Sequence, residues 1–197
     1  MKRSVVLVAV LLLCATAVFA KEYQSSFGLT FNAPDNWLVI TKLELAGNPT
    51  LAGTPGSGGS LTPEIKGKIE SGSIEFLYDR TTSDAAFADN VNVRLGGKGS
   101  VPNNSDAVKT QCTQYAQALA KSAGRTLAVA KCDTRELGAS RTFYVEYEGR
   151  VAGTVTMQYQ LVRPDGKLLY VTATCKQSIM DKFHPEFEAI VRSIRFN

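Results

Sequence analysis

The 197 residues include one histidine, His184, and one tryptophan, Trp37. A single imidazole excludes a zinc site built on several histidines, and no Cys-x-x-Cys pair takes its place. His184 and Cys175 make the one conceivable thiol–imidazole dyad. No third residue is placed to orient it, so thiol catalysis is not expected. The phosphate-loop spacing is also missing, since "GGKGS" at 96–100 has the composition without the register. Asp79, Asp84 and Asp89 do not alternate as calcium-loop ligands do, and they read as solvated loop acids. No basic block is interleaved with aromatics, which argues against a nucleic-acid partner. These absences imply no cofactor, no metal and no catalytic residues.

What is present begins with an address. Lys2 and Arg3 precede an apolar run over residues 4–14, and Val18 and Ala20 stand at small-residue cleavage positions. This is the pattern of a secretory signal peptide over 1–20, cut before Lys21. The run is short for a bilayer span, and no later stretch is long and apolar enough for one. Cys14 follows Leu13, where a lipidation motif needs a small residue, so lipid anchoring is not expected. Removing 20 of 197 residues leaves 177, a length suited to one domain over 21–197 with a sizeable core. Without Lys2 and Arg3 the remainder carries 20 basic against 18 acidic residues, so no strong membrane-surface attraction follows.

Alternation marks the strands. "SFGLTF" (26–31), a Pro-Asp-Asn turn and "WLVIT" (37–41) read as two strands joined by a tight turn, with Trp37 as a core anchor at the end of the sheet. Residues 46–63 hold five Gly, three Pro and two Ser, which predicts a flexible loop. "GSIEFLYD" (72–79) and "DNVNVRL" (89–95) are further strands, and 96–105 reads as loop. Ser105 is positioned to cap a helix from Asp106 to about Ala123. Its apolar stripe is Val108, Cys112, Tyr115, Ala116 and Leu119. Gly124 ends it, and a strand follows at about 126–133. Residues 139–149, 153–162 and 168–175 read as hairpin-connected strands. A C-terminal helix follows, with Ser178 and Asp181 as a capping box and Pro185 as a kink or restart point. Strands joined by hairpins, with helices far apart in sequence, give an α+β fold. Its largely antiparallel sheet is flanked by helices.

Two polar strand faces stand out as candidate binding surfaces. Tyr144, Glu146 and Glu148 share one side of their strand, opposite Phe143, Val145 and Tyr147, and read as the polar side of a half-buried strand. Paired carboxylates can also perform acid–base chemistry. On 153–162, Thr154, Thr156, Gln158 and Gln160 share a face that Tyr170, Thr172 and Thr174 of the next strand can extend. Such a neutral surface suits a peptide or a polysaccharide. It can equally be solvated or covered by other polypeptide.

Three cysteines follow the leader, and an exported chain allows a disulfide. A helix carries Cys112 back about 18 Å from Gly124, and the outgoing strand returns Cys132 by about 23 Å. The lengths favour a Cys112–Cys132 bridge with Cys175 free; because strand parity is open and Cys175 is also on a strand, a bridge to Cys175 and no bridge are the alternatives.

"FGLTFNAPDNW", "LGASRTFYVEYEG" and "LLYVTATC…FHPEFEAIVRSIRF" occur in this order. Together they resemble the opening, central strand and closing strand-plus-helix of the PsbP-like proteins, among them the DcrB-like proteins. The resemblance implies an α/β/α sandwich and an accessory or binding role without catalysis. Together with the leader pattern, which places the chain in the periplasm or outside the cell, this suggests another protein or complex of the cell envelope as the partner. A small-ligand or lipid carrier needs instead a sizeable apolar cavity between sheet and helix. An enzyme needs convergent polar groups in a concave site.

Overall fold

The computed structural model describes residues 20–53, 61–82, 87–137 and 140–197. The expected leader, apart from Ala20, therefore lies outside the described residues. So do Asp84 and positions 54–60 of the expected flexible loop. In chain order the elements are β1 (Ala20–Ser25), β2 (Leu29–Pro34), β3 (Trp37–Ile40), α1 (Lys42–Gly47), α2 (Pro63–Glu70), β4 (Glu75–Asp79) and β5 (Asn90–Lys98). They continue with α3 (Ser105–Ala123), β6 (Val129–Leu137), β7 (Ser140–Glu148), β8 (Thr154–Val162), β9 (Lys167–Lys176), α4 (Met180–Arg192) and β10 (Arg195–Phe196).

Seven strands form one antiparallel sheet in the order β3-β4-β5-β9-β8-β7-β6, and β1, β2 and β10 form a second, small one. The expected hairpin over 26–41 is thus corrected. β2 pairs with β1 and β10, while β3 departs after the turn and pairs with β4. The turn joins two sheets because both faces of β3 are needed: Trp37 and Val39 enter one apolar cluster, Leu38 and Ile40 another.

The two faces of the large sheet are covered differently. On one face, Val155, Met157, Tyr159 and Leu161 of β8 meet Phe183, Phe187, Ile190 and Val191 of α4 and Leu29, Phe31 and Ala33 of β2 in a continuous buried cluster. Burying an aromatic or aliphatic side chain of this size contributes about 1.5–3 kcal/mol each. On the other face α1 and α2 cover the β3–β4 end through Leu45, Leu61 and Ile69. Helix α3 covers the β7–β6 end through Leu119 and Tyr115, against Phe143, Val145 and Tyr147.

Local signals account for most boundaries. Gly124 caps α3 in the left-handed conformation (φ 69°), where a side chain is strained. The N-cap of α3 is Asn104, whose side chain accepts from Ala107 N, one residue before the expected Ser105. Asparagine competes equally with serine for that role. The expected Ser178–Asp181 box is absent, because 177–179 form a 3-10 turn and α4 starts at Met180 without a side-chain cap. Helix α4 runs through Pro185 as one element. Within the 46–63 segment, 49–53 form a 3-10 turn and Thr62 caps α2, with Pro63 as its first residue. Residues 96–98, expected as loop, extend β5.

Candidate functional site

Between the two helical covers, one face of strands β5, β9 and β8 carries a polar strip. Antiparallel register places Thr156 beside Thr174, Gln158 beside Thr172 and Gln160 beside Tyr170. The same register adds Asn90, Asn92 and Arg94 of β5, opposite Thr174, Thr172 and Tyr170. Cross-strand neighbours share a face, so these side chains form one surface three strands wide.

The strip is organised by hydrogen bonds between side chains. Gln158 Nε2 donates to Thr172 Oγ1 at 2.8 Å, and Gln160 Nε2 donates to Gln158 Oε1 at 3.3 Å. Helix α3 joins the network from the side: Tyr115 Oη donates to Gln158 Oε1 at 2.9 Å, and Gln111 Nε2 reaches Gln160 Oε1 at 3.5 Å. Burial, with the Tyr147 phenol beside it, pushes the Tyr115 hydroxyl far above its ordinary range, so it remains a neutral donor. The helix is fixed in this position by a disulfide between Cys112 and Cys132 of β6, their Cα atoms 5.9 Å apart. Cys175 is free and buried on the opposite face, and burial pushes its thiol up to about 12.

Two hollows lie along the strip. One of about 360 Å³ is walled by Gln111, Gln114 and Tyr115 of α3 and floored by Gln158, Gln160 and Tyr170, with Arg94 at its edge. The Arg94 guanidinium lies 4.5 Å over the Tyr170 ring. Tyr170 in turn leans across Gly96, where a Cβ would collide with the ring. The second hollow, about 170 Å³, lies between Tyr147, Arg150 and the threonines 156, 172 and 174. Arg150 donates to Ser122 Oγ at 2.8 Å.

The sequence-derived candidates divide between the two sides of the sheet. Gln158 and Gln160 belong to the strip. Tyr144 pairs with Tyr159 and Glu146 with Met157, which turns them to the α4 face. Tyr144 is fully buried and Glu146 is 5% exposed, so the expected polar, half-solvated side of β7 is corrected. Alternation gave the side correctly, but α4 covers it. There Tyr144 Oη donates to Glu146 Oε2 at 2.8 Å, and Lys131 pairs with the same oxygen at 3.0 Å. Glu148, on the same side of β7, is exposed and pairs with Arg125 at 3.0 Å. Glu146 and Glu148 border a hollow of about 260 Å³ that is otherwise partly apolar, with Ala130, Val155 and Met180 in its wall. Each carboxylate is already held by a cation.

Trp37 is 1% exposed, stacks obliquely on Phe183 with centroids 5.3 Å apart, and donates its indole N–H to Glu186 at 3.0 Å. Asp79 and Asp89 are not solvated acids. Asp79 accepts from Thr81 and Thr82 and from the Asn36 amide, and Asp89 accepts from Lys176 N at 2.8 Å. Both are buried: Asp79 organises the turn after β4, and Asp89 ties the start of β5 to the end of β9. Sequence reasoning missed Arg94, Arg150, Gln111 and Gln114. The Asn-x-Asn-x-Arg alternation at 90–94 was the available signal for Arg94, since it continues the Thr/Gln period of the neighbouring strands.

No family model and no curated protein matches the sequence. Among solved structures, the chain is similar to the solution structure of cyanobacterial PsbP (CyanoP) from Synechocystis sp. PCC 6803. The identity is 13%, with 93% of this chain and 96% of that one covered and a TM-score of 0.56. It is also similar to the Ran-binding protein Mog1p of Saccharomyces cerevisiae. There the identity is 10%, the coverage 91% and 96%, and the TM-score 0.50. The chain therefore has the PsbP-like fold, an α/β/α sandwich around a largely antiparallel sheet.

Proposed function

We propose that this chain is an exported, non-enzymatic binding protein that engages another protein of the cell envelope through the polar strip of β5, β9 and β8. The observation that carries the reading is the polar character of one sheet face between its helical covers, where Gln158 and Gln160 are buried but Asn92, Tyr170 and Thr174 stay partly exposed and Arg94 and Arg150 exposed. Helices close its two ends, and between them stand ordered amides, hydroxyls and two arginines in place of apolar side chains. Export is supported by the leader pattern at 1–20 and by a disulfide that suits an oxidising compartment. The solved neighbour Mog1p is a Ran-binding protein, which favours a binding role on this fold. A non-catalytic role is supported by the state of Glu146 and Glu148, each neutralised by Lys131 or Arg125 rather than set against a nucleophile.

Site-specific photocrosslinking in intact envelopes tests this. A benzophenone side chain replacing exposed Gln114 on the rim of the strip should give a discrete protein adduct. The same group at Lys182 on α4 should not. Thr174→Trp, which fills the strip, should abolish the Gln114 adduct. Adducts at Lys182 alone would move the docking face to the other side of the molecule.

A small-ligand carrier is the second reading, favoured by one observation. A hollow of about 440 Å³ at the end of α4 is walled by Leu137, Leu161, Val191 and Phe196, with Arg192 and Arg195 also lining it. Saturable binding of a fluorescent fatty acid, lost in Leu161→Trp, would favour this reading over the first.

A further inference from the structure

The smaller hollow of the strip is rich in donors. Tyr147, Val151 and the threonines 156, 172 and 174 line it, its one charged group is Arg150, and no carboxylate borders it. The turn that carries Arg150 is fixed. Gly149 N donates to Thr154 O at 2.8 Å, Thr154 Oγ1 donates to Val151 O at 2.6 Å, and a Cβ at Gly149 would collide with the Thr154 hydroxyl. The guanidinium is anchored as well. Arg150 Nη2 donates to Ser122 Oγ, which in turn donates to Leu119 O at 3.2 Å. Among the described residues Arg150 has no carboxylate within ion-pair distance. A guanidinium carries five N–H donors, so with Ser122 taking one the others stay open.

The threonines add hydroxyl protons around the same space. Thr172 Oγ1 accepts from Gln158 Nε2, which uses a lone pair and leaves the Thr172 proton without an acceptor among the described residues. The Thr156 and Thr174 hydroxyls lie 3.2 Å apart. With Thr156 as the donor of that pair, Thr174, which is partly exposed, keeps its own proton for the hollow. Thr172 and Thr174 are two residues apart on one face of β9, roughly 6.6 Å at 3.3 Å per residue. One polyatomic anion spans that gap by accepting a hydrogen bond of about 2.7 Å from each hydroxyl. The far wall is electropositive. Burial raises the Tyr147 hydroxyl, while its hydrogen bond with Tyr115 and the charges of Arg150 and Arg94 act to lower it.

We infer that this hollow is a binding site for a phosphate group, held by the Arg150 guanidinium and the Thr172 and Thr174 hydroxyls. The sign follows from the lining: a guanidinium only donates, and no acid is present to neutralise it, so its ligand is an acceptor with negative charge. The size follows from the volume. A space of about 170 Å³ equals the share of roughly six water molecules at about 30 Å³ each, which admits a phosphate with a few waters and is too small for a peptide strand or an acyl chain. The shape follows from the donors. A planar carboxylate is satisfied by one guanidinium fork, whereas donors from the turn at the rim and from the sheet beneath suit a tetrahedral ion. The site goes beyond the docking reading and needs no partner protein.

The test is a 15N NMR titration with inorganic phosphate, glycerol phosphate and acetate, at constant ionic strength balanced with chloride. Saturable shifts of the Arg150, Thr156, Thr172 and Thr174 amides are expected with phosphate, and acetate should bind about tenfold more weakly. Glycerol phosphate binding as well as the free ion assigns the site to phosphate esters, and binding of the free ion alone assigns it to inorganic phosphate. Arg150→Gln should weaken phosphate binding about tenfold and Thr174→Val about three- to fivefold. Lys182→Gln, which removes the same charge from α4, should leave it unchanged. Unchanged spectra away from the substituted positions show that the variants are folded. The absence of saturable phosphate shifts, equal binding of acetate, or binding unchanged in Arg150→Gln would overturn the inference. Loss of phosphate binding with Gln114 crosslinks intact removes this site and leaves the docking reading, and the converse result removes the docking reading alone.

Discussion

Strand β8 shows both sides of the large sheet in one run of nine residues. Its odd-numbered side chains, Val155, Met157, Tyr159 and Leu161, close against α4 and β2. Its even-numbered ones, Thr154, Thr156, Gln158 and Gln160, are just as inaccessible at 4–6% exposure, yet they meet amides and hydroxyls. Burial alone therefore does not distinguish the two faces. What differs is whether the neighbours are apolar and interlocked or polar and hydrogen-bonded. On the first face a lost atom leaves a void. On the second it leaves a donor or acceptor that water can reach through the hollows beside it.

The largest expected effect lies on the interlocked face. Trp37→Ala or Phe187→Ala should cost about 3–5 kcal/mol in urea unfolding, because neither site can collapse around the missing ring. A loss below 1 kcal/mol would mean that this face is no more tightly built than the other. Next comes the disulfide that holds α3 beside the strip. Replacing Cys112 and Cys132 by serine opens a 20-residue connection and should cost about 3 kcal/mol in the chain-entropy model. Because Tyr115 and Gln111 ride on that helix, strip binding should weaken together with stability.

A third difference is in pH response. Glu75 of β4 is fully buried on the interlocked side, where it accepts from Ser26 N at 2.7 Å and Ser26 Oγ at 2.9 Å. Burial raises its carboxyl above the ordinary range, against the lowering effect of the Ser25 and Ser26 donors. The folded state therefore keeps a proton that the unfolded state has released. That contribution to stability is fully present below the ordinary carboxylate value and is lost as pH rises through the folded one. Urea midpoints measured from pH 4 to 8 should show this decline, and Glu75→Gln should flatten it. A decline unchanged in Glu75→Gln would assign the response to another group. The smallest effect belongs to the strip. Thr172→Ala removes one hydrogen bond to Gln158 and should cost about 1 kcal/mol. A cost matching Phe187→Ala would erase the contrast between the faces.

These contrasts also mark what the sequence could show. Period-two alternation located most of the strands and assigned the sides of β7 and β8, since it depends only on local backbone geometry. It also joined Tyr170, Thr172 and Thr174 to the Thr/Gln face, because a hairpin over Arg163–Lys167 leaves little freedom of register. It did not show that Tyr144 and Glu146 lie beneath α4, since the helix that covers them begins more than thirty positions later. Strand β10 is two residues long and has no period to read. The link between Arg94 and Arg150 depends on β5 pairing with β9, across about 75 residues, and no local pattern encodes such a pairing.

That dependence on distant partners is strongest at β2. Its Leu29 and Thr30 pair with Phe196 and Arg195, and the last amide, Asn197 N, bonds to Gly28 O at 3.1 Å. Ser193 Oγ likewise accepts from Asn32 N at 2.7 Å. A strand near position 30 is thus completed by a segment about 165 positions away. Until that segment arrives, β2 has β1 on one side and an open edge on the other, a surface on which foreign strands can add. Deleting Arg195–Asn197 would leave that edge open permanently.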